Sequence, residues 1–275
     1  MSQNENNHPF DMAIRLTGEG DRYSGHTTEH YANMIGPFGG IIAAVMQKAI
    51  LSHTSRQGDP VAFTVNYAAP ISNGAFEIVT RLVRNNRSTQ HWSVELLQQE
   101  HVCATATAVL ATRRDTWSST DLPFPEVPDI DKAVKVSGEG FPSWVYRYDI
   151  RMVRGGFPPF ISIENEKAYA SSVTIQWVRD EPRRPMDFPS LTALCDSFFP
   201  RIFIRRDRIV PVGTVSFTVY YHADADALHE AGDREMVAEA RANRFFKNYF
   251  DQTAELWTPE GILLATSSQI YYYKE

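Results

Sequence analysis

The feature that most limits what this chain can become is an ordered match between its two halves. Gly40 lies opposite Ser190 at an offset of 150, and Phe63-x-x-x-Tyr67 lies opposite Phe217-x-x-x-Tyr221 at 154. Arg84-Asn85-Asn86-Arg87 then falls opposite Arg241-Ala242-Asn243-Arg244 at 157, and Ala104-Thr105 opposite Ala265-Thr266 at 161. Each match is weak alone. Their order and smooth drift are hard to produce by chance, so the halves read as tandem copies of one unit. A length of 275 residues is enough for two units of ordinary size, each with its own core.

The unit is a buried helix followed by strands. Gly36-Pro37-Phe38-Gly39-Gly40 breaks the chain before Ile41–Leu51, a segment apolar on almost every side at its start, as in a helix covered on most faces. Strands follow, with alternation at Phe63, Val65 and Tyr67, then at Phe76 and Ile78, at Trp92, Val94 and Leu96, and along Ala104 to Leu110. In the second half Asp187 or Ser190 can cap a helix with Pro189 in its first turn, and Leu191, Leu194, Cys195 and Phe198 form its apolar stripe. Pro200 cannot continue it. Alternating runs return at Val215–Tyr221, Met236–Ala240, Thr253–Trp257 and Ile262–Tyr271. The expected fold is therefore α+β, two antiparallel sheets each wrapped on a helix and able to pair edge to edge.

The expected divisions are an N-terminal unit over 1–112, a Pro- and Asp-rich connector over 113–142 that crosses the surface in an ordered way, and a C-terminal unit over 143–275. Residues 1–11 read as a loose tail, and Met12 to Thr28 as a weakly defined strand pair. Trp144, Tyr146, Tyr148, Ile150 and Met152 alternate like a strand, and another is expected through Val173, Ile175 and Trp177.

The two copies differ in polar residues. Asp196 falls opposite Met46, Thr214 opposite Pro60 and Gln269 opposite Ala108. Taken alone, an Asp beside an apolar stripe is a solvated side chain, and a Thr or Gln in a strand is ordinary outward polarity. Three polar groups in one copy with none at the matching positions of the other is the pattern of a single site kept in a duplicated chain.

The bulk properties exclude several classes. A net charge of −6, from 27 basic and 33 acidic residues without long blocks, argues against a nucleic-acid surface. No apolar run reaches membrane-spanning length, and the polar start Met1–His8 has no apolar signal segment, so a cytoplasmic protein is expected. Cys103 and Cys195 show no metal or redox spacing and read as buried small residues. His26, His30, His91 and His222 show no paired ligand spacing, so no metal is expected. Arg84, Arg87, Arg241 and Arg244 read as solvated turn charges. Tyr271-Tyr272-Tyr273 reads as a strand end at a subunit contact, in a homodimer or higher homo-oligomer.

The sequence resembles the acyl-CoA thioesterase II family of double hot-dog thioesterases over roughly residues 20–112 and 143–273. The resemblance is carried by Pro37-Phe38-Gly39-Gly40 before the first helix and Arg184-Pro185-Met186-Asp187 before the second. Leu194-Cys195-Asp196-Ser197-Phe198-Phe199-Pro200, Gly213-Thr214-Val215 and Ala265-Thr266-Ser267-Ser268-Gln269 complete it. It implies hydrolysis of acyl-CoA to a free acid and CoA, as in fatty acid metabolism, by a water held by Asp196, Thr214 and Gln269, without cofactor. Backbone N–H groups at Gly39 and Gly40 could polarise the thioester carbonyl. The segments 113–142 and 223–234 fit the family poorly and leave the acyl group open. Two other readings stand beside this one: a catalytically silent acyl-CoA-binding protein, and a hot-dog enoyl-CoA hydratase or dehydratase. The second needs a His, and none occurs between His101 and His222.

Overall fold

Alternating side chains make strands, and their order here repeats. The computed structural model describes residues 7–157, 160–163, 167–206 and 208–275. The first half contains helices α1 (Pro9–Ala13) and α2 (Gly39–Ser52). Its strands are β1 (Thr17–Glu19), β2 (Arg22–His26), β3 (Asp59–Tyr67), β4 (Ala75–Asn85), β5 (Thr89–Gln98) and β6 (His101–Ala111). The second half contains β7 (Val134–Lys135), β8 (Tyr148–Arg154), β9 (Thr174–Asp180), α3 (Phe188–Leu194), α4 (Arg201–Arg205), β10 (Val212–Tyr221) and α5 (Ala225–Ala231). It ends with β11 (Met236–Arg241), β12 (Phe245–Phe246), β13 (Tyr249–Trp257) and β14 (Leu263–Tyr273).

Among the described residues these strands form one antiparallel sheet in the order β1-β2-β4-β5-β6-β3-β10-β14-β13-β11-β9-β8-β7, with β12 on β13. From the centre outwards, β3-β6-β5-β4-β2 mirrors β10-β14-β13-β11-β9, so the duplication seen in the sequence is a duplication of topology. At the junction Thr64 pairs with Thr218, its own counterpart at the offset of 154, and their hydroxyls hydrogen-bond at 3.0 Å. Phe63 pairs with Val219 and Val65 with Phe217, as a two-fold relation between the copies requires. This is a double hot-dog, with α2 and α3 packed together inside the wrapped sheet.

Helix α2 is buried over almost its whole circumference, from Gly40 through Gln47 and again at Ala49 and Ile50. A buried polar cluster ties it to the second half. Gln47 Nε2 donates to the Tyr221 hydroxyl at 2.6 Å, and the Thr192 hydroxyl donates to Gln47 Oε1 at 3.0 Å. Helix α3 starts as its sequence requires, with Asp187 accepting from the Ser190 N–H at 2.9 Å.

Four expectations need correction. Helix α3 stops at Leu194, well short of Phe198, because the chain tightens into i→i+3 bonds from Asp196 N–H to Ala193 O and from Ser197 N–H to Leu194 O. The supposed tail includes α1, whose Phe10 is fully buried under the Arg184 guanidinium; residues 1–6 of that tail lie outside the described residues. Met12 to Thr28 begins inside that helix, and its strand pair is confined to the β1–β2 hairpin. Finally, Ser143–Arg147 is a 3-10 turn and the strand begins only at Tyr148, because Trp144 turns inward to stack on Phe38 at 4.5 Å.

The segment from Phe124 to Pro128 packs against the second half. Phe124 and Val127 pack on a small core of Ile175, Trp177, Val237 and Trp257, and Trp177 Nε1 donates to Pro128 O at 3.3 Å.

Candidate active site

The early stop of α3 decides where Asp196 points. Leaving the helix at Cys195, the chain turns so that the Asp196 side chain meets the start of α2, across the two-fold relation between the copies. Helix α2 has no side chain of its own at its N-cap, which is Phe38. The Asp196 carboxylate fills that role, accepting the Gly40 N–H. Its Oδ2 faces Gly39, where a Cβ would come within 3.0 Å of it. A side chain at Gly39 would therefore press on the carboxylate.

Strand β14 holds the other side. Ser267, Gln269 and Tyr271 share one face, as residues two apart do. The Ser267 hydroxyl donates to Cys195 O at 3.3 Å, Gln269 Nε2 to Asp196 Oδ1 at 2.5 Å, and the Tyr271 hydroxyl to the same Oδ1 at 3.3 Å. The one Tyr271 hydroxyl hydrogen is shared between that Oδ1 and the nearer Gln269 Oε1, which also accepts, at 2.7 Å, from Nε2 of Gln252, its cross-strand partner on β13. Thr214 stands directly opposite Tyr271 on β10 and hydrogen-bonds its phenol. Asp196, Thr214 and Gln269 are thus brought into one network.

Tyr271 and Gln252 belong to the same network, and the sequence reading missed both. Tyr271 is buried rather than at a surface contact. The signal for it was present, since a residue two beyond Gln269 in a strand must share its face. Gln252 had no such signal short of the β13–β14 register.

Burial pushes the Asp196 carboxyl up from 3.8 to about 7, against the downward pull of the bonds from Gln269, Tyr271 and the Gly40 N–H. A carboxylate with that affinity can take a proton near neutrality and give it back. Burial, reinforced by Asp196, raises Tyr271 well above the usual phenol range, so it remains a neutral donor. Cys195 is fully buried and burial holds its thiol far up as well, which leaves no thiolate nucleophile. Gly40 already gives its N–H to Asp196, so of the two glycines Gly39 is the one whose first-turn N–H remains for a ligand. Among the described residues no three His, Cys, Asp or Glu side chains converge as metal ligands would.

Two cavities meet at this point. One, of about 140 Å³, is lined by Asp196, Thr214 and Tyr271 on one side and by aromatic rings on the other. The second, of about 370 Å³, is lined by Tyr67, Pro70, Pro211 and Lys274. Both are bordered by Gly39, Val212, Gly213 and Thr214. Gln269 borders neither, so its contact is with the carboxylate, not with the space in front of it.

The sequence matches the acyl-CoA thioesterase N-terminal domain over residues 28–111 and the acyl-CoA thioesterase C-terminal domain over residues 120–273. The chain belongs to the acyl-CoA thioesterase II family. Among solved structures it is 42% identical to a hot dog fold protein of unknown function from Alicyclobacillus acidocaldarius, with a TM-score of 0.91 over 98% of each chain. It shares the fold of an acyl-CoA thioesterase II, TesB2, from Mycobacterium marinum, at 14% identity and a TM-score of 0.74 over 96% of this chain and 98% of that one. A search of curated proteins finds no match. No helix among the described residues is long and apolar enough to cross a membrane.

Proposed function

We propose that this family member hydrolyses acyl-CoA thioesters to a free acid and CoA, with Asp196 as the general base. The observation that carries the reading is a buried carboxylate, poised near neutrality, facing the first turn of α2 at the meeting of two cavities. The pantetheine arm occupies the cavity leading to Lys274, the acyl group takes the aromatic one, and the thioester carbon lies at Gly39.

The Gly39 N–H, backed by the α2 dipole, receives the carbonyl oxygen as it gains charge. A water between Asp196 and Thr214 attacks the carbon while its proton passes to Asp196. Collapse of the tetrahedral intermediate breaks the C–S bond, and Asp196 returns the proton to the departing thiolate. Gln269 positions the carboxylate, and Tyr271 links it to Thr214. The test is thiol release from acyl-CoA. Asp196→Asn should lower turnover at least a hundredfold with the fold retained, a loss in the range expected for a general base. Near-wild-type turnover would sink the assignment.

A further inference from the structure

The shape of the acyl cavity carries the account one step further, resting on the hydrolytic reading above. Its wall is a continuous chain of rings. Phe38, the residue before Gly39, stacks on Trp144 at 4.5 Å with their planes 9° apart, and Trp144 meets Phe199 at 6.3 Å. Phe199 is in turn tilted against Phe141 at 5.1 Å and Phe157 at 5.2 Å. Phe157 stacks on Phe203 at 5.5 Å. Phe38, Trp144, Phe157, Phe199 and Phe203 are all at most 5% exposed, so the ring side of the cavity is fixed, whereas Met34, Ile35, Phe160 and Ile209, which line its other side, are exposed.

The volume sets the scale. A cavity of about 150 Å³ lined by apolar side chains in another protein holds one benzene molecule, and this one measures about 140 Å³. A fatty acyl chain of about ten carbons or more, against the six of benzene, does not fit among these rings and would run out past the exposed Met34, Ile35, Phe160 and Ile209 that line the rest of the cavity. A ring does fit, and it meets faces and edges with which aromatic groups pair favourably. Two of the wall residues, Phe141 and Trp144, come from the end of the connector and the turn after it, the part of the chain that a bare repeat of two units does not need.

We infer that the substrates are thioesters of compact, ring-bearing acids, aroyl or arylacetyl groups, rather than of long fatty acids. Specificity is set by the ring wall that Phe141 and Trp144 complete.

The experiment compares kcat/KM for benzoyl-CoA, phenylacetyl-CoA and decanoyl-CoA by free-thiol release. A value for either aromatic thioester at least tenfold above that for decanoyl-CoA is expected. A decanoyl value equal to or above both would overturn the inference. Phe141→Ala, which opens the wall, should narrow the ratio at least fivefold; an unchanged ratio counts against the wall as its cause. Should no thioester release thiol, the hydrolytic reading fails, and calorimetric titration with the inert thioethers S-benzyl-CoA and S-decyl-CoA decides the inference separately. Tenfold tighter binding of the benzyl compound supports it, and equal or weaker binding overturns it.

Discussion

Replacing Asp196 with Asn should stabilise the protein while disabling it, and the size of the effect follows from the burial of the carboxyl. In the unfolded chain this group titrates at its ordinary 3.8, and in the fold at about 7. Between those values the folded state holds a proton that the unfolded state has released, so this contribution to stability falls as pH rises. It is fully present below 3.8 and is lost progressively up to about 7, where the carboxyl ionises in the fold too. At about 1.4 kcal/mol per pH unit, the full window is worth about 4 kcal/mol, of which about 2–3 kcal/mol falls between pH 5 and pH 8. Asn has no proton to lose. The stability of Asp196→Asn relative to wild type should therefore grow by that amount over this interval, or by about 5–8 °C in Tm for a chain of this size. Asp180, buried against the Ser190 hydroxyl and also pushed up to about 7, is common to both proteins and cancels in the difference. Thermal unfolding followed by circular dichroism from pH 5 to pH 8 measures it. Parallel pH profiles for the two proteins would refute the burial argument and remove the physical basis for a base active near neutrality.

Three further outcomes are expected. kcat/KM should rise about tenfold per pH unit below 7 and level off above it, since only the ionised Asp196 accepts the proton of water. Tyr271→Phe removes a hydrogen bond that lowers Asp196, so that limb should move to higher pH with kcat down about tenfold; a limb that stays in place would remove Tyr271 from the site. Gly39→Ala sets a Cβ 3.0 Å from Asp196 Oδ2 and 3.4 Å from the Tyr67 hydroxyl. It should cut kcat at least tenfold with little change in Tm, and unaltered turnover would show that the start of α2 does not face the reaction.

Much of the fold was legible in the sequence, but the match of Arg84–Arg87 to Arg241–Arg244 was out of register: Asn85 pairs with Gln90 where Phe245 pairs with Phe250, so the offset steps from 154 to 160 at once, where α5 is inserted before β11. The Thr64–Thr218 pair lies where the offset of 154 requires it. Helix ends were less legible. The stripe from Leu191 to Phe198 suits a helix, but the chain leaves it at Leu194, and Ser197 bonds back to Leu194 O through both its N–H and its hydroxyl. Trp144–Met152 shows the same limit, since alternation in a sequence cannot distinguish a strand from an inward-turning 3-10 segment held by stacking. In the site, Asp196, Thr214 and Gln269 emerged from comparing the copies, because each replaces an apolar residue. Tyr271 was hidden among three tyrosines. Arg201 gave no local sign of being buried, yet it is 1% exposed and binds the oxygens of Phe199, Ser172, Thr174 and Ala240, fixing the turn that carries the ring wall.

The central claim is that water, not the protein, attacks the thioester and that Asp196 only takes up the proton of that water and passes it to the departing thiolate. A single turnover in water enriched in oxygen-18, with enzyme in excess over acyl-CoA, tests it most directly. The account predicts one labelled oxygen in the released acid and none in the Asp196 carboxyl, read by mass spectrometry of the acid and of the Asp196 peptide. Unlabelled acid with the label in Asp196 would mean that the carboxylate itself had attacked, and would contradict it.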